Sequence, residues 1–290
     1  MNQKRIFWII LLFLIASLDV SLANSLRQEH GMQEEESQLA ARDEALATLR
    51  AFELKPEAYE KYAKELKPDL KTKKRKKLSG NLLAYLFCQS LDQQELEQWI
   101  SLEQDTEPEL YEYDRKIVEN LLADAVYFPV PEASDHKKAS VSYENSWQSE
   151  RTYGGARGHE GCDLMASIQQ RGYYPVVSVS DGVVEKMGWL PQGGYRIGIR
   201  SRHGVYYYYA HLAEYEEGIG EGDTIQAGQL IGYMGDTGYS EVEGTTGNFP
   251  VHLHFGMYLD LEEYGEVSFN PYYLLGMLEK RKLRYEYRNE

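Results

Sequence analysis

Between residues 176 and 258, aliphatic and aromatic residues alternate with polar ones in short runs: Val176 to Val179, Val183 to Met187, Tyr195 to Ile199, Val205 to Tyr209, Gln229 to Met234 and Val251 to Tyr258. Glycine-centred turns separate the runs, and a period of two marks strands with one buried face. The pattern therefore predicts an antiparallel β-rich domain. Tyr206 to Tyr209 is aromatic on both faces, as expected when one face packs and the other lines a groove. An open groove suits an extended peptide, with Tyr153, Tyr173 and Tyr174 expected along its border. Asn270-Pro271 then predicts a C-terminal helix to about Arg281, with Leu274, Leu275 and Leu278 packed on the sheet and the charged tail, 284–290, solvated.

The first half reads differently. Leu39, Leu46, Leu49 and Phe52 recur at helical spacing, Lys55-Pro56 and Lys67-Pro68 interrupt, and the apolar residues from Leu82 to Leu102 predict a buried helix. Thr106-Glu-Pro-Glu109 predicts a helix start, with Thr106 as cap, Pro108 in the first turn and Glu109 completing a capping box. Phe128-Pro-Val-Pro131 stops helix and forces extended backbone. The expected fold class is thus α+β: a helical region over 24–126, then a β-rich domain over 127–283 that ends in a helix.

At 42% hydrophobic residues in a chain of 290, with mean hydropathy −0.55, the composition excludes a multispan membrane protein. Lys4 and Arg5 precede an apolar run that begins at Ile6, and Ser21-Leu22-Ala23 carries the small residues a signal peptidase reads. Residues 1–23 are therefore expected to be an export segment, cleaved after Ala23 or retained as a membrane anchor, and the protein is expected outside the cell or at its wall. The formal charge of −15 is blocky: acidic around Glu34 to Glu36 and from Asp92 to Asp124, and basic from Lys71 to Lys77. Such blocks mark solvated faces, and the basic one is a candidate contact for an anionic wall polymer or a membrane surface. An acidic, exported chain has neither the field nor the compartment for nucleic acid. The two cysteines, Cys88 and Cys162, are expected as separate buried thiols rather than one disulfide.

Four of the seven histidines fall in three short motifs: His159-Glu-Gly-Cys-Asp163, Tyr209-Ala-His211-Leu and His252-Leu-His254-Phe. Zinc accepts imidazole nitrogen and carboxylate oxygen, and a catalytic site uses three protein ligands with the fourth position open. In extended backbone, His159, Gly161 and Asp163 share one face, with room at Gly161, and Glu160 and Cys162 point to the other. The same alternation puts His252 and His254 together and turns Leu253 and Phe255 into the core. A thiolate is also a good zinc ligand, but alternation turns Cys162 away. Neighbouring glycines at 154, 155, 158 and 161 argue against a helix here.

These motifs, in type, order and spacing over roughly residues 126 to 275, resemble the lysostaphin-like or LytM-type zinc metallopeptidases that cut peptide bonds in bacterial peptidoglycan. Ser180-Asp-Gly-Val-Val184, Gly222 to Gly228 and Ile231 to Gly238 resemble the same family's strand-and-turn signatures. The resemblance implies one zinc held by His159, Asp163 and His254, with His211 and His252 as the catalytic pair that is not bound to metal. It also implies that Tyr153 stabilises an oxyanion, a task that suits a phenol. The stretch from Glu241 to Phe249 is longer and more acidic than the family's compact turn and is a candidate for shaping substrate choice. The expected function is a zinc endopeptidase acting on peptidoglycan stem or cross-bridge peptides. The alternative is a silent scaffold of the same fold that binds wall or a partner protein. Scaffolds of that kind lose ligand or catalytic histidines, and here all are present. For the helical region the candidate roles are a pro-segment restraining the cleft, self-association, or a wall anchor.

Overall fold

The computed structural model describes residue 32 and residues 37–66, 70–134 and 138–288. The expected export segment, the predicted break at 67–68, His30 and His136 lie outside the described residues. Contacts divide the chain into two compact units, Met1–Ala47 and Thr48–Glu290. In the first, residues 37–47 are helical.

The second unit opens on a last helical turn, 48–51, followed by α1 (Pro56–Lys61), α2 (Thr72–Cys88), α3 (Gln93–Thr106) and α4 (Pro108–Ala123). The predicted interruption at Lys55-Pro56 is a helix start: proline's fixed φ suits the first helical position, and Lys55 before it is extended. The single buried helix expected from Leu82 to Leu102 is two. Gln89 takes a left-handed φ of 50°, and Asp92 accepts a hydrogen bond from the Glu95 N–H at 3.0 Å to begin α3. Leu82, Leu83 and Leu86 are buried on α2, whereas on α3 only Leu96 is, and Leu102 is exposed.

The capping box at Thr106 is not made. Thr106 is the last residue of α3 and its hydroxyl donates to the Leu102 carbonyl at 2.8 Å, so its backbone is helical where a cap needs extended geometry. Pro108 opens α4 without a side-chain cap. A buried polar cluster joins α2 to α4: Arg115 donates to Ser79, Glu119 and Glu112. Within the basic block, Lys74, Arg75 and Lys76 pair with Glu65, Glu119 and Glu112.

Past Ala123 the chain turns extended. Short strands β1 (Glu132–Ala133), β2 (Val141–Ser142), β3 (Glu150–Arg151) and β4 (Arg157–Gly158) lead into β5 (Cys162–Ala166) and β6 (Pro175–Val177). The long strands follow: β7 (Gly182–Leu190), β8 (Gly194–Ser201), β9 (Tyr206–Tyr215), β10 (Thr224–Ile225), β11 (Leu230–Met234), β12 (His252–Leu261) and β13 (Gly265–Phe269). The main sheet runs β10-β7-β8-β9-β12-β5-β2, antiparallel throughout, with β11 joining β6 to β9 and β13 flanking β12. This is the expected α+β architecture, and α5 (Tyr272–Leu278) supplies the C-terminal helix with Leu274, Leu275 and Leu278 buried.

Alternation decides the two faces of the sheet. Tyr207, Tyr209, Leu253, Phe255 and Met257 are buried on the core face, and Tyr206, Tyr208, His252, His254 and Tyr258 face a cleft of about 320 Å³. Two aromatic expectations fail. Tyr173 and Tyr174 are buried rather than bordering the cleft, and they pack against Tyr287. Residues 284–288 are accordingly not a free tail, although Arg284, Glu286 and Arg288 stay exposed: β14 (Arg284–Tyr285) pairs with β1, and the buried Tyr287 donates to the Pro131 carbonyl at 2.6 Å. Burying a tyrosine ring outweighs leaving a charged segment free in water. At the other end of the unit, Arg50 donates to the Ser268 carbonyl and hydroxyl at 3.0 and 2.9 Å and reaches Glu160 at 3.3 Å, while its own carbonyl accepts from the Asn270 N–H.

Candidate metal centre and cleft

The register between β5 and β12 sets His254 opposite Asp163 and Phe255 opposite Cys162. One pair therefore faces the cleft and the other the core. His159 precedes β5 and is anchored by backbone bonds to Gln148 and Ser149. Its Nε2 lies 3.1 Å from Asp163 Oδ1 and 3.0 Å from His254 Nδ1, and the latter is 2.9 Å from the same carboxylate oxygen. Among the described residues these three form a group able to hold a metal ion. Ligands bound at about 2.0–2.1 Å in a tetrahedron stand about 3.3–3.4 Å apart, so the trio fits zinc after a small expansion. Its two nitrogens and one oxygen are also the right donors.

Gly161 provides the room expected of it. A Cβ there would lie 2.5 Å from His254 Cε1, 2.6 Å from its Nε2 and 2.8 Å from the Phe255 carbonyl oxygen, so the His254 ring occupies the space a side chain would need. Cys162 is turned away as expected: it is buried, its Sγ lies 3.5 Å from the Glu144 carbonyl, and burial, with the Asp163 charge, pushes its pKa up to about 12. Both cysteines are free, Cys162 buried and Cys88 half-buried.

Two supporting groups escaped the sequence reading. Ser146 Oγ sits 2.9 Å from His159 Nδ1, and Arg151 Nη2 donates to Asp163 Oδ2 at 2.6 Å. Such outer partners fix ring orientation and leave one carboxylate oxygen for the cluster. Burial works against ionising Asp163, but hydrogen bonds from His159 and His254 and nearby imidazole charge outweigh it and hold the carboxyl well below its usual range.

His211 reaches the cleft by breaking a rule. Strict alternation after Tyr207 and Tyr209 would bury it, yet Tyr195 pairs with Leu212 and Ile197 with Tyr209, so Ala210 and His211 together oppose a single residue of β8. This bulge, with His211 at φ 63°, turns the ring to the cleft and returns Leu212 to the core. His211 Nδ1 lies 2.8 Å from the Thr237 carbonyl, and His252 Nδ1 lies 2.7 Å from the Pro250 carbonyl. A carbonyl only accepts, so each Nδ1 carries the hydrogen and each Nε2 presents a lone pair. Burial lowers both pKa values; for His211 the neighbouring His252 and His254 add to it, and for His252 the Asp163 charge opposes it only in part. The two rings are 4.7 Å apart, and His252 Nε2 is 3.8 Å from Asp163 Oδ1.

The structure brings together five of the six expected site residues: His159, Asp163, His211, His252 and His254. Tyr153 is placed differently. Its ring stacks on Tyr239 at 4.5 Å, and it is Tyr239 that lines the cleft. The stretch from Glu241 to Phe249 delivers Phe249 onto both catalytic-pair candidates, 4.6 Å from His211 and 5.1 Å from His252 between ring centres.

Residues 157–271 match the model of peptidase family M23. The L-Ala–D-Glu endopeptidase of Bacillus subtilis (strain 168) is 43% identical over 163 residues, covering 56% of this chain and 45% of that protein. Lysostaphin of Staphylococcus simulans is 36% identical over 99 residues, covering 33% of this chain and 17% of the relative. The chain thus spans less than half the length of these curated relatives. A solved structure from Ruminococcus gnavus ATCC 29149, assigned as the glycyl-glycine endopeptidase LytM, superposes with a TM-score of 0.68 at 38% identity, covering 83% of this chain and 94% of that one. With the likeness extending over nearly the whole of that structure and the family model falling on the cleft residues, the chain belongs to peptidase family M23.

Proposed function

We propose that the protein is an exported zinc endopeptidase that hydrolyses peptide bonds in bacterial peptidoglycan. The observation that carries this reading is the His159, Asp163 and His254 trio at 2.9–3.1 Å beside two imidazoles whose Nε2 atoms are bare. Zinc, when bound by these three, supplies a Lewis acid that polarises a carbonyl and makes water nucleophilic near neutral pH. The chain's own residues do the rest. His252, neutral and fixed by Pro250, accepts the proton that water loses. His211, fixed by Thr237, holds a second lone pair across the cleft and orients or passes that proton on. Tyr206, Tyr208 and Tyr258 form an aromatic floor against which an extended peptide lies.

The names of the relatives support peptidoglycan peptides as the substrate class. Lys71, Lys73 and Lys77, exposed and without an ion-pair partner among the described residues, are the part of the basic block left for an anionic wall polymer.

The test is mass spectrometry of soluble products after the protein meets peptidoglycan sacculi, with and without a zinc chelator. New peptide termini that vanish on chelation and return with zinc are expected. His159→Ala should lose both bound zinc and turnover, whereas His252→Ala should keep the metal and lose turnover. Full turnover in either variant would overturn the assignment.

A further inference from the structure

The hairpin of β3 and β4 sets Arg151 directly opposite Arg157. Like charges opposed across an antiparallel pair repel unless anions take them up. Arg151 has its anion in Asp163. Arg157 has none among the described residues, and its Nε is buried without a hydrogen-bond partner. The other acids of the cleft are already engaged: Glu160 by Arg50 at 3.3 Å and Glu266 by Arg200 at 2.7 Å.

Arg196 repeats the anomaly. It lies on β8 against the bulge that carries His211, and its Nη1 is likewise buried and unpartnered. The charges of Arg157 and Arg196 both act on the Tyr208 phenol, and the Tyr208 ring stands 5.9 Å from that of His254. Two guanidinium groups without an ion-pair partner among the described residues, one of them lining the cleft, run against the composition of a chain of net charge −15. Buried donors left without acceptors are costly and call for an explanation.

We propose that Arg157, supplemented by the charge of Arg196 on β8, is a carboxylate subsite that receives an acidic group of the peptide next to the bond presented to His159, Asp163 and His254. The planar guanidinium fork matches a carboxylate in shape and charge. An arriving carboxylate relieves the repulsion between Arg151 and Arg157 and supplies the Arg157 guanidinium with the anion it lacks. The subsite selects for a carboxylate beside the scissile bond and against bonds inside glycine bridges, which have none beside them. The proposal rests on the peptidase reading and narrows its substrate.

The test uses zinc-loaded full-length protein and three peptides of one sequence. The first has glutamate as its terminal residue, the second its side-chain amide and the third its C-terminal amide. Calorimetric binding is measured on His252→Ala and hydrolysis on the wild type. The acidic peptide should be preferred over one amide by about 10- to 100-fold, the worth of one charge-assisted hydrogen bond, and the amide that loses identifies which carboxylate is read. R157Q should bring that ratio to within about threefold of unity, R196Q should reduce it, and R157K should keep part of it. Equal treatment of acid and both amides by the wild type, or an undiminished ratio in R157Q, overturns the subsite. Acid-selective binding with no hydrolysis of any peptide would instead sink the peptidase reading and leave the subsite standing.

Discussion

Gly161→Ala adds one methyl where the His254 ring already stands. The methyl would lie 2.5 Å from Cε1 and 2.6 Å from Nε2 of that ring, against an ordinary carbon contact of about 3.5–4.0 Å. Retreat in the other direction is closed by the Phe255 carbonyl at 2.8 Å, which is held in the sheet. The ring must therefore withdraw by about 1 Å, opening its 2.9 and 3.0 Å separations from Asp163 and His159 to about 4 Å, beyond the edge of a zinc tetrahedron. Misplacement of that size costs about 10²-fold in turnover. Overpacking should cost about 1–3 kcal/mol of stability, a fall of a few degrees in Tm. Zinc affinity read by chelator competition, turnover on a peptide and thermal melting together check the argument. Gly172→Ala is the control, because its Cβ meets nothing within 4 Å and only its φ of 72° is strained. A G161A protein with zinc affinity within twofold of wild type and full turnover would refute the claim that the missing side chain makes the site.

His211 sits at φ 63°, where a residue with a Cβ is strained by roughly 1–2 kcal/mol. His211→Gly should therefore unfold at higher urea than His211→Ala by about 1 kcal/mol, with both variants inactive; equal midpoints would remove the strain argument. His211 and His252 have folded pKa values lowered from 6.5, so the unfolded chain takes up protons first as pH drops. Their contribution to stability is present in full above about 6.5 and is lost as pH falls below it, toward and through the folded values, at up to about 1.4 kcal/mol per pH unit for each imidazole. Urea midpoints of chelator-treated protein between about pH 7.5 and 5.5 should show this loss, and His252→Gln should show less of it. An identical pH dependence in the variant would contradict the assignment.

Much of the site was legible because strand parity is local. His252, His254 and Tyr258 fell on one face and Leu253 and Phe255 on the other as alternation required. The space at Gly161 followed from the same count. Parity alone gives the wrong face for His211, because the bulge is decided by pairing with β8 and not by any neighbouring residue type. Arg151 and Ser146 act on ligands 12 and 13 residues away through a hairpin whose geometry the sequence does not state. The helix ends failed for a related reason. Thr106 satisfies a capping pattern, but α3 runs through it, and its hydroxyl bonds backward. Tyr173, Tyr174 and Tyr287 carried no periodic signal, and their mutual packing joins the chain end to the middle of the domain.

Arg50 gives the helices a stake in the cleft. One side chain bridges Ser268 beside β12 and Glu160, the residue that follows a zinc-ligand candidate, and its backbone holds Asn270 at the entry to α5. A chain cut at the start of the strands would lose these bonds and uncover the surface of α5 against which α1 packs. The module that can be exchanged between proteins, by recombination or by design, therefore begins near residue 48. A graft of the sheet without its helices would transplant the ligands and leave behind part of what keeps them in register.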